Sequence, residues 1–144
     1  MERKLKTPIQ GPTLSRNTAQ SDISGMMGKL IANLLHGATK THFAHLKTTS
    51  FAAHMALGEF YEAIPGLADA VAEQYQGVTE QLLDYPEATL TIINTPEEAI
   101  DYLRGLYKMV QIVQDNCSYS EIINELDVIK SQINTTKYKL IFLK

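Results

Sequence analysis

Residues 42–73, HFAHLKTTSFAAHMALGEFYEAIPGLADAVAE, concentrate the side chains able to do chemistry. All four histidines of the chain, at positions 36, 42, 45 and 54, lie close to or inside this stretch. Four carboxylates follow the last of them: Glu59, Glu62, Asp69 and Glu73. A helix turns about 100° per residue. On a wheel with His54 at zero, Asp69 falls near 60°, Glu62 near 80° and Glu73 near 100°. Ala56, Phe60, Ala63, Ile64, Leu67, Ala70 and Val71 fall between roughly 160° and 280°, and Glu59 sits at the border near 140°. One stripe is therefore a packing face, and the stripe beside it carries an imidazole and three acids. Imidazole with carboxylate is a donor set for iron, manganese or zinc. The same pattern also describes an ordinary solvated helix face on which His54 is incidental.

The spacing of His42, then His54 twelve residues later, Asp69 fifteen after that and Glu73 four further on resembles the mini-ferritin (Dps-type) pattern. Lys40-Thr41-His42-Phe43 is similar to that family's Lys-x-His-Trp, and Phe60 matches an aromatic on its second helix. The resemblance implies iron as the cofactor, with His42, His54, Glu62, Asp69 and Glu73 as metal-site residues shared across a two-fold interface. One position departs. The mini-ferritins place an acid four residues after the second histidine, where this chain has Gly58; Glu59 or Glu62 would have to substitute. A second likeness covers the same stretch. The run HxxHLKTxSFAAHxALGEFYE, the following ADAVAEQYQG and, more loosely, TTKYKL near residue 140 resemble an uncharacterised ferritin-like family of tailed bacteriophages. That implies a phage origin, in a virion or the host cytoplasm, and a ferritin-like bundle without implying an activity.

Composition bounds the rest. The 144 residues suffice for one domain with a single core. Apolar content of 44% and charged content of 20% are those of a globular chain. A net charge of −3 points to neither nucleic acid nor a membrane surface. Cys117 is the single cysteine, which rules out an internal disulfide and fits a reducing compartment. No run of 18 apolar residues predicts a membrane span, and residues near Met1 lack the apolar core of a signal peptide.

The elements that must position the donors follow from periodicity. Residues 1–20, with two prolines and a glycine, read as an extended arm. Arg3, Lys4, Lys6 and Arg16 against Glu2 make the arm basic, suited to DNA phosphates or to docking on a neighbouring subunit. Residues 21–144 read as the bundle. Ser21-Asp22 caps a first helix to about His45, with Ile23, Met27, Leu30, Leu34 and Ala38 on one face. Gly25, Gly28 and Gly37 weaken that helix unless they admit a close neighbour. His36 and His45 read as packed residues. Ser50 caps a second helix over 51–76 that stops at Gly77 and kinks at Pro65. Residues 78–94 form a long connection. Thr95-Pro96-Glu97-Glu98 opens a third helix to about Asn116, and Ser120 to about Thr136 forms the fourth. Helices three and four hold no histidine, so any metal centre must come from the first two.

The fold class is thus all-α, an antiparallel four-helix bundle of ferritin-like type with a long connection between helices two and three. Two functions fit it. One is an oligomeric iron-binding bundle with ferroxidase-type oxidation of Fe(II). The other is a virion structural or assembly component that keeps the bundle without metal chemistry. In both the partners are other copies of the chain, drawn together by the apolar side chains of KYKLIFLK, with phage structural proteins as further partners.

Overall fold

The computed structural model describes residues 14–144, with side chains described from Ala19 onward. Four helices account for most of them: α1 (Leu14–Lys47), α2 (Phe51–Thr79), α3 (Pro96–Asp115) and α4 (Ser120–Phe142). Among the described residues there is no strand, and no helix is long and apolar enough to cross a membrane.

Each helix packs on two neighbours. α1 lies against α2 and α3, and α4 lies against the same two. The connection over 80–95 leaves α2 at the end far from the α1–α2 turn, where Gln76 Oε1 accepts hydrogen bonds from the Leu83 amide at 2.9 Å and the Tyr85 hydroxyl at 3.0 Å. It finishes at the turn itself, where Ile93 packs with Ala44 and Leu57 and the Lys47 ammonium donates to Asn94. The connection therefore runs back along the bundle, α3 starts beside the turn, and every neighbouring pair of helices is antiparallel.

The core is the set of stripes expected from periodicity. Leu30 and Leu34 meet Phe60, Ile64 and Val71 of α2, Leu103 and Val110 of α3, and Leu126 and Ile129 of α4, all fully buried. A smaller cluster of Ala44, Leu57, Ile93 and Ala99 closes the turn end, with Leu140 against it. Two α1 glycines are explained by neighbours. A Cβ at Gly28 would lie 2.1 Å from the Asp84 carbonyl oxygen, and one at Gly37 would lie 1.9 Å from the Tyr102 hydroxyl.

Several boundaries differ from the sequence reading. α1 begins at Leu14, seven residues before Ser21, because nothing after Gly11-Pro12 breaks a helix. The extended arm therefore does not reach residue 20. Its first thirteen residues, with Arg3, Lys4 and Lys6 and the DNA contact assigned to them, lie outside the described residues. α2 passes through Gly77 with negative φ and ends at Thr79, with Glu80 in the left-handed conformation at φ 54°. The Thr79 hydroxyl satisfies the Tyr75 carbonyl at 2.8 Å. Pro65 leaves α2 unbroken. α4 continues past Thr136 to Phe142, because Leu140 still has the turn-end cluster to pack on. The Thr95 start is as read: its side chain accepts the Glu98 amide at 3.1 Å, and Glu98 accepts the Asn94 amide at 2.7 Å.

Candidate functional site

Three residues, Thr48, Thr49 and Ser50, turn the chain from α1 into α2. The Thr48 amide closes α1 on the Ala44 carbonyl at 3.0 Å. Ser50 Oγ accepts the Ala53 amide at 3.2 Å, capping α2 as its sequence predicts. So short a turn sets the last turn of α1 against the first turn of α2, and His45 meets His54 across it.

The two rings stack with centroids 3.6 Å apart and 23° between planes. His45 Nδ1 lies 2.6 Å from the His54 carbonyl oxygen, and His54 Nδ1 lies 3.0 Å from the His45 carbonyl oxygen. A carbonyl only accepts, so each Nδ1 carries its proton. His45 lies in the last turn of α1, where carbonyls lack a helical partner, and the His54 ring satisfies one of them. Two more rings complete the corner. His42 stacks on Tyr61 at 4.0 Å and 11°, and the His45 ring stands edge-on to Tyr61 at 5.2 Å and to His42 at 6.0 Å.

Gly58 makes this arrangement fit. It is buried, and a Cβ there would sit 3.2 Å from Cε1 and 3.3 Å from Nδ1 of His45. The position where the mini-ferritins carry an acid is the floor under the His45 imidazole. His45 is accordingly a hydrogen-bonded, part-buried residue, as read, with its ring against both His42 and His54.

The candidate metal residues divide into two groups. His42 and His54 come to one corner, each against the His45 ring. Glu62, Asp69 and Glu73 lie on the exposed face of α2. α2 is one continuous helix with about 1.5 Å rise per residue, so Asp69 is roughly 22 Å and Glu73 roughly 28 Å along the axis from His54. Within one chain Asp69 and Glu73 therefore cannot share an ion with His54, and among the described residues no group of three His, Cys, Asp or Glu side chains could hold one. Glu59 pairs instead with Lys139 of α4. Cys117 is a buried free thiol beside the α3–α4 turn.

The pairing of His45 with His54 and the place of Tyr61 beside them escaped the sequence reading. The signal was nonetheless present: His45 and His54 are nine residues apart around a three-residue turn, and Tyr61 follows His54 by two helical turns.

A second polar locus joins α1 to α3. The Tyr102 hydroxyl donates to the Asn33 carbonyl at 3.1 Å, and the Lys40 ammonium lies 4.3 Å from the Tyr102 ring centroid. Burial pushes the Tyr102 hydroxyl well above its usual range and lowers Lys40.

The fold and this corner define an all-helical bundle with a ring-lined hairpin turn. Residues 45–140 match the profile of a family of unknown function (DUF5856), and the chain belongs to that family. The matched span starts at His45 and covers the turn, α2, α3 and most of α4. No curated protein matches the chain.

Proposed function

We propose that this chain is a ferritin-like bundle serving as an assembly component of a phage particle, with no metal chemistry inside a single chain. The observation carrying this reading is the use made of the histidines. His45 and His54 are bonded to each other's backbone and act as a clasp on the α1–α2 turn, while the acids that would complete a metal site face solvent more than four helical turns from His54 in the case of Asp69 and Glu73. The ferritin-like assignment is supported by the single long crossover between α2 and α3, and the phage origin by the resemblance of residues 42–77. Metal analysis of the purified protein, together with a search for it in purified virions, tests the proposal. A metal-free protein present in virions is the expected result. Iron at one or two per chain, with Fe(II) oxidation lost in His54→Ala/Asp69→Ala, overturns it.

A specific observation keeps the iron reading as the second one. His42, Glu62, Asp69 and Glu73 are all exposed, so another copy could bring its acids to the histidine corner of this one. Such a shared centre needs an oligomer, and iron bound only by the oligomer would support it.

A further inference from the structure

The turn end of the bundle leaves large apolar side chains in water. The Lys139–Glu59 ion pair sets α4 against α2. In antiparallel register, one turn further along brings Leu143 level with Met55, with Phe51 beyond it. These residues are 45%, 47% and 78% exposed. Phe142 and Tyr138, 68% and 55% exposed, pack on each other with ring centroids 5.6 Å apart, and Leu46, 66% exposed, lies in the last turn of α1 at the same end of the bundle. Side chains of this size present about 150–250 Å² each, so these fractions over six of them amount to roughly 700 Å². The largest apolar patch on an ordinary monomer is about 300–600 Å², whereas a stable complex buries about 800 Å² per partner.

Residues 1–13 of the same chain are too short to reach Leu46 and Phe51 at the turn. They join α1 at Leu14, and the 34 residues of α1 place that point about 50 Å from the turn. Thirteen extended residues reach at most about 45 Å. The border argues against nucleic acid or an anionic surface, because at its edge the acid Glu59 is paired with the base Lys139. A border carrying both signs around an apolar centre suits a surface that pairs with itself about a two-fold axis.

We infer that this face binds the same face of a second copy of the chain, with Phe51, Met55 and Phe142 at the centre of an isologous dimer. The inference rests on the assembly reading and names its first contact. Sedimentation velocity of the full chain between 1 and 100 μM, as an order-of-magnitude span bracketing ordinary dimer affinities, tests it against two variants. Phe51→Ser/Phe142→Ser removes two largely exposed rings, and Leu82→Ser removes an 88% exposed side chain from the connection near the opposite end. The expected wild-type particle has twice the 16.1 kDa chain mass, or an even multiple of it. The double variant should weaken the pairing at least about a hundredfold with unchanged helical circular dichroism, and Leu82→Ser should leave it intact. Met55→Lys gives the same comparison if the double variant folds poorly. A wild-type monomer at 100 μM overturns the inference. So does an oligomer that survives both the double variant and Met55→Lys, and in that case the assembly reading stands with its contact elsewhere.

Discussion

His45 and His54 each donate a ring N–H to the other's backbone carbonyl, with the rings stacked 3.6 Å apart. Helix hairpins are usually held by apolar packing and a cap; here a reciprocal pair of side-chain bonds is added where α1 runs out of backbone donors. Each bond joins segments on opposite sides of the turn, so the pair fixes how α2 leaves α1. Phe51 and Met55, at the start of α2, inherit their position from it.

The clasp predicts a measurable coupling. His45→Ala and His54→Ala should each destabilise the chain by about 1–2 kcal/mol, from one lost hydrogen bond and one lost stacking contact. The double variant should cost less than the sum by about 0.5–1.5 kcal/mol, since either change alone breaks the stack. Urea unfolding of the four proteins completes the cycle. Additive losses would mean that the rings do not act as a pair.

Gly58 lies beneath the same ring, and two effects compete there. Replacing a helical glycine by alanine ordinarily stabilises by about 1 kcal/mol. The new Cβ would meet His45 at 3.2–3.3 Å, and that ring is held by its bond and its stack. Gly58→Ala should therefore gain almost nothing in the wild-type chain and about 1 kcal/mol when His45→Ala has cleared the space. Gly58→Asp adds a carboxylate to a buried position and should destabilise by about 2 kcal/mol or more. A stabilising Gly58→Asp, above all in the presence of iron, would restore the acid to a working metal site and count for the iron reading.

The helical architecture was legible because its signals are local. Ile23 to Ala38, the Ser50 cap and Thr95-Pro96 each act within a few residues, and each element formed. Helix ends were less legible, since they depend on distant partners. α1 reaches back to Leu14 and holds α2 through Gln20 and Ser24, which bond the Tyr75 hydroxyl at 3.0 and 2.9 Å, a contact 55 residues away in the first case. Site geometry was least legible. A helical wheel places His54, Asp69 and Glu73 on one stripe but carries no axial distance, so residues separated by more than four turns looked like neighbours. The pairing of His45 with His54 depends on the turn, where no single period applies.

Gly37 gives a sharper steric test than Gly58. A Cβ there would fall 1.9 Å from the Tyr102 hydroxyl, so Gly37→Ala must push Tyr102 off the Asn33 carbonyl. The loss should exceed the helix gain and reach about 2 kcal/mol net. In the Tyr102→Phe background the hydroxyl is gone and the penalty should shrink by about half. Thermal unfolding of both single variants and the double variant reads this out, and an equal penalty in both backgrounds would place the clash elsewhere.

Alkaline pH should expose the same tyrosine. Burial raises Tyr102 in the folded chain, and burial also raises Tyr75. An unfolded tyrosine loses its proton near pH 10. Below that pH both states hold the proton, and the stability linked to these hydroxyls is fully present. Above it the unfolded chain releases the proton while the folded chain retains it, so stability falls as pH rises toward the folded values, by up to about 1.4 kcal/mol per pH unit for each tyrosine. Lys40 acts in the opposite sense. Its folded value lies below the ordinary one, so deprotonation near pH 10 relieves a burial cost and adds stability, weakly because Lys40 is only half-buried. The tyrosines should win, and the urea midpoint should drop between pH 9 and 11.5, a range spanning the ordinary tyrosine value. Tyr102→Phe should be less stable than wild type by about 1 kcal/mol at pH 8, having lost the bond to Asn33, and should lose less on the way to pH 11.5. Parallel pH profiles for the two proteins would show that Tyr102 ionises as freely in the fold as in the open chain.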